Sequence, residues 1–346
     1  MTKEIKQSTL YRQYRPRDFS EVRGQEPIVK ALSAAIKKGK PAHAYLFSGG
    51  RGTGKTTMAR ILADKLGVSS KDLFEMDAAS NRGIDDIREL REGVFASPFE
   101  SKYKLYIIDE AHMLTKEAWN ALLKTLEEPP SHVIFVLATT DRDKVPDTIQ
   151  SRCEVYSFKQ PTREILSDIV GDVAKSEGKR LDRAGAELIA LLAEGSFRDA
   201  LSILQKVLTV ADEKAVSVAE VELVTGAPKG ELVRQLVSGI AKKDSNMALK
   251  AIHTAVEQNM DARVLAKLLI HRLRISLLLR YAPDIAESLS KELTEADLEL
   301  AKEISKETGV NSDTLRIILE GYATMAYAAV PHLPLELAVI DITAKQ

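Results

Sequence analysis

The residues best able to do chemistry sit together at Gly49-Gly50-Arg51-Gly52-Thr53-Gly54-Lys55-Thr56. Glycines at this spacing let successive backbone N–H groups turn inward around phosphate oxygens, and a helix starting at Lys55 adds the positive end of its dipole. An amine at Lys55 reaches β- and γ-phosphates, and a hydroxyl at Thr56 ligates magnesium. Gly50, Arg51, Gly52, Thr53, Gly54, Lys55, Thr56 and Thr57 are therefore the expected phosphate-binding set. The setting agrees: the apolar run Ala44-Tyr45-Leu46-Phe47-Ser48 precedes the glycines and a helical pattern follows them.

A second group lies further along. Leu105-Tyr106-Ile107-Ile108 reads as an apolar strand and ends in Asp109-Glu110. Asp109 would hold magnesium through its water shell, and Glu110 would orient and activate an attacking water, so hydrolysis as well as binding is expected. Alone, the pair could equally be an acidic cap on the next helix. His112, two residues on, reads as a local hydrogen-bonding residue rather than a catalyst. Ala138-Thr139-Thr140-Asp141 ends another apolar run, and Thr140 is a candidate sensor of the γ-phosphate, although small polar residues also end strands routinely.

The elements that must position these groups follow from hydrophobic periodicity. Apolar runs at 44–48, 73–77, 105–109, 133–139 and 155–158 read as strands, and three-to-four spacing predicts helices over 26–38, 55–66, 84–95 and 116–127. That alternation marks an α/β unit with a mainly parallel sheet. From Thr162 onward strand signals almost vanish and helices are expected over 163–176, 182–192 and 196–208. Gly226-Ala227-Pro228 is the strongest later break. The expected domains are 1–160, 161–226 and 227–346.

Charge is balanced overall, 49 Lys and Arg against 50 Asp and Glu, so composition does not announce a nucleic-acid binder. Distribution says more: residues 1–60 carry 13 basic and four acidic side chains, whereas 287–307 is acid-rich. One cysteine, Cys153, excludes an internal disulfide and a multi-thiolate metal site, so no zinc is expected. The first residues lack the apolar core of a signal peptide, and Lys267, His271, Arg272 and Arg274 interrupt the greasiest stretch. A cytoplasmic protein without membrane contact is expected.

The strings YRPRDFSEVRGQE (14–26), HAYLFSGGRGTGKTT (43–57), DAASNRGIDDIR (77–88), LYIIDEAHMLTKEAWNALLKTLEEPPSHVIFVLATTD (105–141), SRC (151–153) and GSFRDALS (195–202) occur in one order. Together they resemble the bacterial clamp-loader gamma/tau subunits of the AAA+ ATPases. LLKTLEEPP and ATT fit that family better than the related replication factor C small subunits. The resemblance covers roughly 10–205 through specific motifs, and the remainder resembles the family only in length, pattern and its closing PHLPLELA.

The resemblance implies a nucleotide-binding domain with a parallel sheet, a small helical lid and an all-helical collar. It implies ATP and magnesium as cofactors, and as partners copies of this chain, delta-like and delta-prime-like subunits, a sliding clamp and a primed DNA junction. By the same resemblance Arg152 is an arginine finger donated to a neighbour's ATP, and Arg198 a lid arginine touching its own subunit's γ-phosphate. Tyr14, Arg15, Pro16, Val22 and Gly24 belong to the strip that wraps adenine and ribose. Asn81, Arg82 and Arg88 would meet DNA phosphates, which gives structure-specific rather than base-specific binding.

The chain departs from the family pattern at LGVSSKDLF (66–74), where members usually carry four zinc-binding cysteines. It also stops without the long C-terminal extension of the tau form and so resembles the shorter form. Three other readings compete: a non-hydrolysing stator-like loader subunit, a AAA+ repair or recombination ATPase, and a DEAH-box helicase. Intact Lys55, Thr56, Asp109 and Glu110 argue against the first, LLKTLEEPP with SRC against the second, and the lack of a second α/β motor after Phe158 against the third.

Overall fold

The computed structural model describes residues 9–211, 214–284, 295–307 and 309–344. Part of the acid-rich stretch, 287–294, lies outside them. Five parallel strands, β1 (Ala44–Gly49), β2 (Leu73–Asp77), β3 (Lys104–Asp109), β4 (Val133–Thr139) and β5 (Glu154–Phe158), form one sheet in the order β2-β3-β4-β1-β5. All seven residues of β4 are buried, and β1 and β3 are nearly so, because helices cover both faces. That is why these strands read as unbroken apolar runs rather than alternating ones.

Side chains along the strands divide between two cores with a period of two. Tyr45, Phe47, Leu105, Ile107 and Val136 pack with Ile28 and Leu32 of α2 (Glu26–Lys37) and with Met58 and Leu62 of α3 (Lys55–Lys65). Leu46, Tyr106, Ile108, Phe135 and Leu137 pack with Ile87 and Val94 of α4 (Ile84–Val94) and with Trp119 and Leu122 of α5 (Lys116–Glu127). Each such fully buried side chain contributes about 1.5–3 kcal/mol. The sheet is thus a stiff platform for the loops at its edge. Register places Ser48 beside Thr139 and Ile108 beside Leu137, so the C-terminal ends of β1, β4 and β3 lie side by side. In open α/β sheets ligands bind at that edge.

The described chain packs as two compact units, one through Leu166 joined by Ala193–Ser202, the other Ser167–Leu192 joined by the residues from Ile203 onward. Packing density thus groups residues differently from the sequence character behind the expected 1–160, 161–226 and 227–346 division, which stays a proposal. Unit one also holds the short helices at Leu10–Gln13 and Asp147–Gln150 and the three-residue turn Ala111–Met113. Two helices, Arg163–Ser176 and Phe197–Val210, run across the division. Helix ends fall within two residues of expectation throughout.

The second unit is helical apart from two-residue strands at Arg180–Leu181 and Ala215–Val216. Helices Gly230–Ala241, Ser245–Glu257, Ala262–Tyr281, Glu295–Lys306, Ser312–Thr324 and Leu333–Ala344 enclose Leu236, Ile240, Ile252, Leu269, Leu273, Ile318, Leu335 and Val339. Asp244, Asp261 and Asn311 cap three of them, each accepting a first-turn N–H. Gly226 ends the helix before the expected break at φ 67°, a left-handed cap. Arg280 donates to the carbonyls of Ile304 (2.9 Å), Ser305 (2.7 Å) and Glu307 at the end of the helix Glu295–Lys306, groups short of intrahelical partners, and to the Val310 carbonyl (2.7 Å) in the link that follows. Among the described residues no helix is long and apolar enough to cross a membrane.

Candidate active site

Residues 49–54 turn from β1 into α3 just as the glycine spacing requires. Gly49 (φ 149°) has no room for a side chain, since a Cβ there would meet the Phe158 backbone. Gly54 (φ 100°) starts α3 in a left-handed conformation that an L side chain rarely adopts. Thr53, buried, donates from Oγ1 to the Gly50 carbonyl at 2.9 Å and closes the loop on itself. Lys55 is 6% exposed, and its Nζ donates to the carbonyls of Gly49 (2.7 Å) and Gly50 (2.8 Å). Burial lowers its pKa, while Glu110 and Asp109 oppose that shift. A buried cation ringed by loop atoms and facing two carboxylates fits a polyanion that brings its own divalent metal. Arg51 stands exposed at the loop's tip.

Thr56 Oγ1 donates to Asp109 Oδ2 at 2.7 Å, tying the first turn of α3 to the end of β3. A hydroxyl and a carboxylate converging beside a phosphate cradle are oxygen ligands of the kind magnesium takes. Glu110 follows at φ 47°, ψ 42°, an uncommon conformation for a residue with a side chain. Its N–H is held by Asp109 Oδ1 at 3.0 Å, and its Oε2 accepts from Thr140 Oγ1 at 3.1 Å. His112 Nδ1 lies 3.4 Å from the same Oε2 and 3.0 Å from Thr139 Oγ1. The fold therefore gathers Lys55, Thr56, Asp109, Glu110 and Thr140 from three neighbouring strand ends.

The two flanking segments close on the loop from outside the sheet. In the N-terminal strip Arg15 donates from Nε to Thr57 Oγ1 at 3.0 Å, and burial first, then nearby Arg60, lowers its pKa. Val22 packs against the core beneath α2 and α3, Tyr14 and Pro16 are half-buried, and Gly24 turns at φ 76°. Gln25 was not singled out by its sequence, yet it is 2% exposed and clamps the strip to the end of β5. Its Nε2 donates to the Lys159 carbonyl at 2.7 Å, and its Oε1 accepts from the Lys159 N–H at 3.3 Å. On the other side Phe197 N–H donates to the Gly52 carbonyl at 3.0 Å. Arg198, next in the chain, has its guanidinium 5.8 Å from the centre of the Tyr11 ring.

Arg152 stands apart from this cluster. Its Nη2 pairs with Glu127 Oε1 at 2.7 Å and its Nη1 donates to the Thr148 carbonyl at 2.6 Å, on a partly exposed surface. No bond ties it to this subunit's phosphate loop among those described. Neighbouring Cys153 is inert by environment, since burial pushes its thiol up to about 12. Asn81 and Arg82 lie exposed on the turn before α4, and Arg88 on α4 pairs with Asp85 at 3.2 Å. Over 66–74, where the cysteines of the resemblance are missing, the chain is tied down by Asp72. Its wholly buried carboxylate accepts from the N–H groups of Phe99 (2.6 Å), Glu100 (3.0 Å) and Ser101 (2.8 Å). Burial alone would raise its pKa; these bonds overcome that and hold it well below the usual carboxylate range.

Comparison with known proteins bears on the family and the fold. A family model described as DNA polymerase III, delta subunit, matches residues 24–81 and 68–162. The chain is 36% identical to DNA polymerase III subunit tau of Bacillus subtilis, over 96% of this chain and 62% of that protein. It is 31% identical to DNA polymerase III subunit gamma of Buchnera aphidicola subsp. Acyrthosiphon pisum, over 96% of this chain and 98% of that one. The chain thus spans about three fifths of the first curated relatives it matches and nearly all of the shorter one. Among solved structures, the Thermotoga maritima RuvB Holliday junction branch migration motor superposes with a TM-score of 0.53 at 25% identity, over 66% of this chain and 79% of that one. That likeness fits the AAA+ α/β fold. With 31–36% identity to gamma subunits over most of their length, the chain belongs to the gamma/tau subunit family of bacterial DNA polymerase III.

Proposed function

We propose that this chain is an ATP-hydrolysing subunit of a bacterial clamp loader, which uses ATP binding and hydrolysis to open a sliding clamp and place it on primed DNA in the cytoplasm. The observation that carries the reading is the convergence of Lys55, the Thr56–Asp109 pair and the Glu110–Thr140 pair at adjacent strand ends, with Arg152 held outside that cluster. Lys55 and the loop N–H groups bind the triphosphate. Glu110 takes the proton of the attacking water, and Thr140 and Arg198 report on the γ-phosphate. Magnesium, held by Thr56 and through water by Asp109, would neutralise charge between the β- and γ-phosphates. No zinc is invoked, the chain having a single cysteine.

Arg152 serves the ATP of a neighbouring subunit. A planar guanidinium with several donors suits charge spread over phosphoryl oxygens, and a weak surface pair with Glu127 releases it at little cost. Assembly is supported by the helix Leu333–Ala344, which is mostly apolar and carries apolar side chains outside its buried face as well. Leu335, Ala338, Val339 and Ile342 are buried, while Leu333, Leu337 and Ile340 remain exposed. Such a patch marks an interaction surface. The partners are copies of this chain with delta-like and delta-prime-like subunits, and the functional division is a nucleotide domain (1–160), a lid (161–226) and a collar (227–346). Asn81, Arg82 and Arg88 grip the phosphates of the primed junction.

The test is reconstitution with candidate partner subunits, labelled clamp and primed circular DNA. Wild-type chain should retain clamp on DNA only with ATP, and Lys55→Ala should abolish both retention and nucleotide binding. Retention that is unaffected by Lys55→Ala would assign the chain a scaffold role instead.

A further inference from the structure

We infer that His112 is a positioning residue for Glu110, holding the water-activating carboxylate in place once Thr140 turns its hydroxyl to a γ-phosphate. The inference rests on Glu110 being that carboxylate. Three features of the network lead to it.

The first is hydrogen counting at Thr139. A hydroxyl has one hydrogen to give and two lone pairs. Thr139 Oγ1 gives its hydrogen to the Asp141 carbonyl at 2.9 Å and receives the Asp141 N–H at 3.0 Å. With that hydrogen placed on the carbonyl, the remaining lone pair faces His112 Nδ1 at 3.0 Å, an arrangement that pairs with the tautomer carrying its hydrogen on Nδ1. Nδ1 also stands 3.4 Å from Glu110 Oε2, within ion-pair reach, while its hydrogen bond in this structure is the one to Thr139 Oγ1. The ring is fixed by a strand-end residue that is itself saturated, so it has one place to stand.

The second is exchange at Thr140. Its single hydroxyl hydrogen goes to Glu110 Oε2 at 3.1 Å. A hydroxyl that senses a γ-phosphate must give that hydrogen to a phosphoryl oxygen and cannot also give it to Glu110. On that exchange Oε2 loses its bond to Thr140, and His112 Nδ1–H is the side-chain donor near enough to share its hydrogen between Thr139 Oγ1 and Oε2. The third is the backbone. Glu110 sits at φ 47° on a turn, a conformation that persists where surrounding bonds over-determine it. Its carbonyl accepts from Met113 N–H at 2.9 Å and its N–H is bound by Asp109, so main chain and side chain are both anchored around the Ala111–Met113 turn that carries His112. The side chain of His112 is 12% exposed, which keeps water from replacing it readily.

The test compares His112→Ala, His112→Asn and His112→Gln in the full chain within its assembly. Asparagine carries an N–H at the same bond distance from Cβ as Nδ1, whereas glutamine carries it one bond further out. Alanine and glutamine should lower kcat on the order of tenfold, the scale of losing a hydrogen bond to a charged group. KM and ATP affinity should stay within about twofold, since the lost interaction is between two protein groups and not with the nucleotide. Asparagine should recover most of the loss. Wild-type kcat in His112→Ala, or asparagine falling as far as glutamine, overturns the inference, and the Asn–Gln comparison decides the matter even if the alanine variant does not fold. Glu110→Gln in the same assay separates the layers: full turnover there defeats the assignment of Glu110 itself, and full loss there with unchanged His112 variants defeats only the role of His112.

Discussion

Gly52→Ala probes the seam between the phosphate loop and the helix that carries Arg198. Gly52 lies at φ 71°, where an L side chain costs about 1–2 kcal/mol. A Cβ there would also collide with the Ser196 hydroxyl and come within 3.0 Å of the Ser196 Cβ, while Ser196 is 4% exposed and caps the helix by accepting from Asp199 N–H. Forcing an atom into such a contact adds about 1–3 kcal/mol. The two contributions separate with a second change. Ser196→Gly removes both opposing side-chain atoms and, as a cap residue, costs only a few tenths of a kcal/mol. Gly52→Ala should therefore lose about 2–5 kcal/mol in the wild-type background and about 1–2 kcal/mol with Ser196→Gly, the difference being the coupling energy of the pair. Urea denaturation of the four proteins measures stability, and ATP titration should show affinity lost and partly regained in the same order. An equal cost in both backgrounds would refute the packing of Ser196 on the loop.

Glu110→Gln should keep ATP affinity and lose turnover by about 10²–10⁴-fold, because an amide cannot accept the water's proton; phosphate-release kinetics beside binding titration check it. Asp72→Asn should destabilise by about 1–3 kcal/mol at neutral pH, leaving buried N–H groups poorly matched. Since the folded pKa of Asp72 is depressed, its contribution is complete above the unfolded carboxylate value of about 4 and is lost as pH falls below it. The stability gap between wild type and Asp72→Asn should accordingly narrow in urea titrations run at falling pH below about 4. Cys153, pushed up to about 12, should react with a thiol reagent at pH 8 orders of magnitude more slowly in the native chain than in denaturant.

The central strands were legible because burial on both faces leaves no polar alternation to mislead, and the phosphate loop because its glycines answer a backbone demand that few other residues meet. Lys55, Thr56, Asp109 and Glu110 lie where strand ends meet helix starts, so local pattern raises them as candidates, the acidic pair only with the phosphate loop beside it. The partners of these residues were not legible. His112 meets Thr139 only because β3 and β4 are neighbours, and Gln25 reaches Lys159 across 134 positions of chain. Asp72 reads as an ordinary loop acid until the turn at 99–101 brings three N–H groups onto it. Ser196 carried a signal in hindsight, a serine three residues before Asp199 at a helix start, but nothing in that spacing points to Gly52.

The proposal that this subunit works by completing its neighbours' ATP sites is tested most directly by complementation in mixed assemblies. One population carries Arg152→Ala with an intact phosphate loop, the other Lys55→Ala with an intact Arg152. Arg152→Ala alone should hydrolyse ATP roughly 10³-fold more slowly at the affected sites, the scale of withholding such a charge from phosphoryl transfer, and Lys55→Ala alone should fail to bind the nucleotide. Mixed, with assembly verified by native mass measurement, hydrolysis should return at every site where an Arg152→Ala chain holds the nucleotide and a Lys55→Ala chain faces it. Intact mixed assemblies that show no return of hydrolysis would contradict action of Arg152 across the interface.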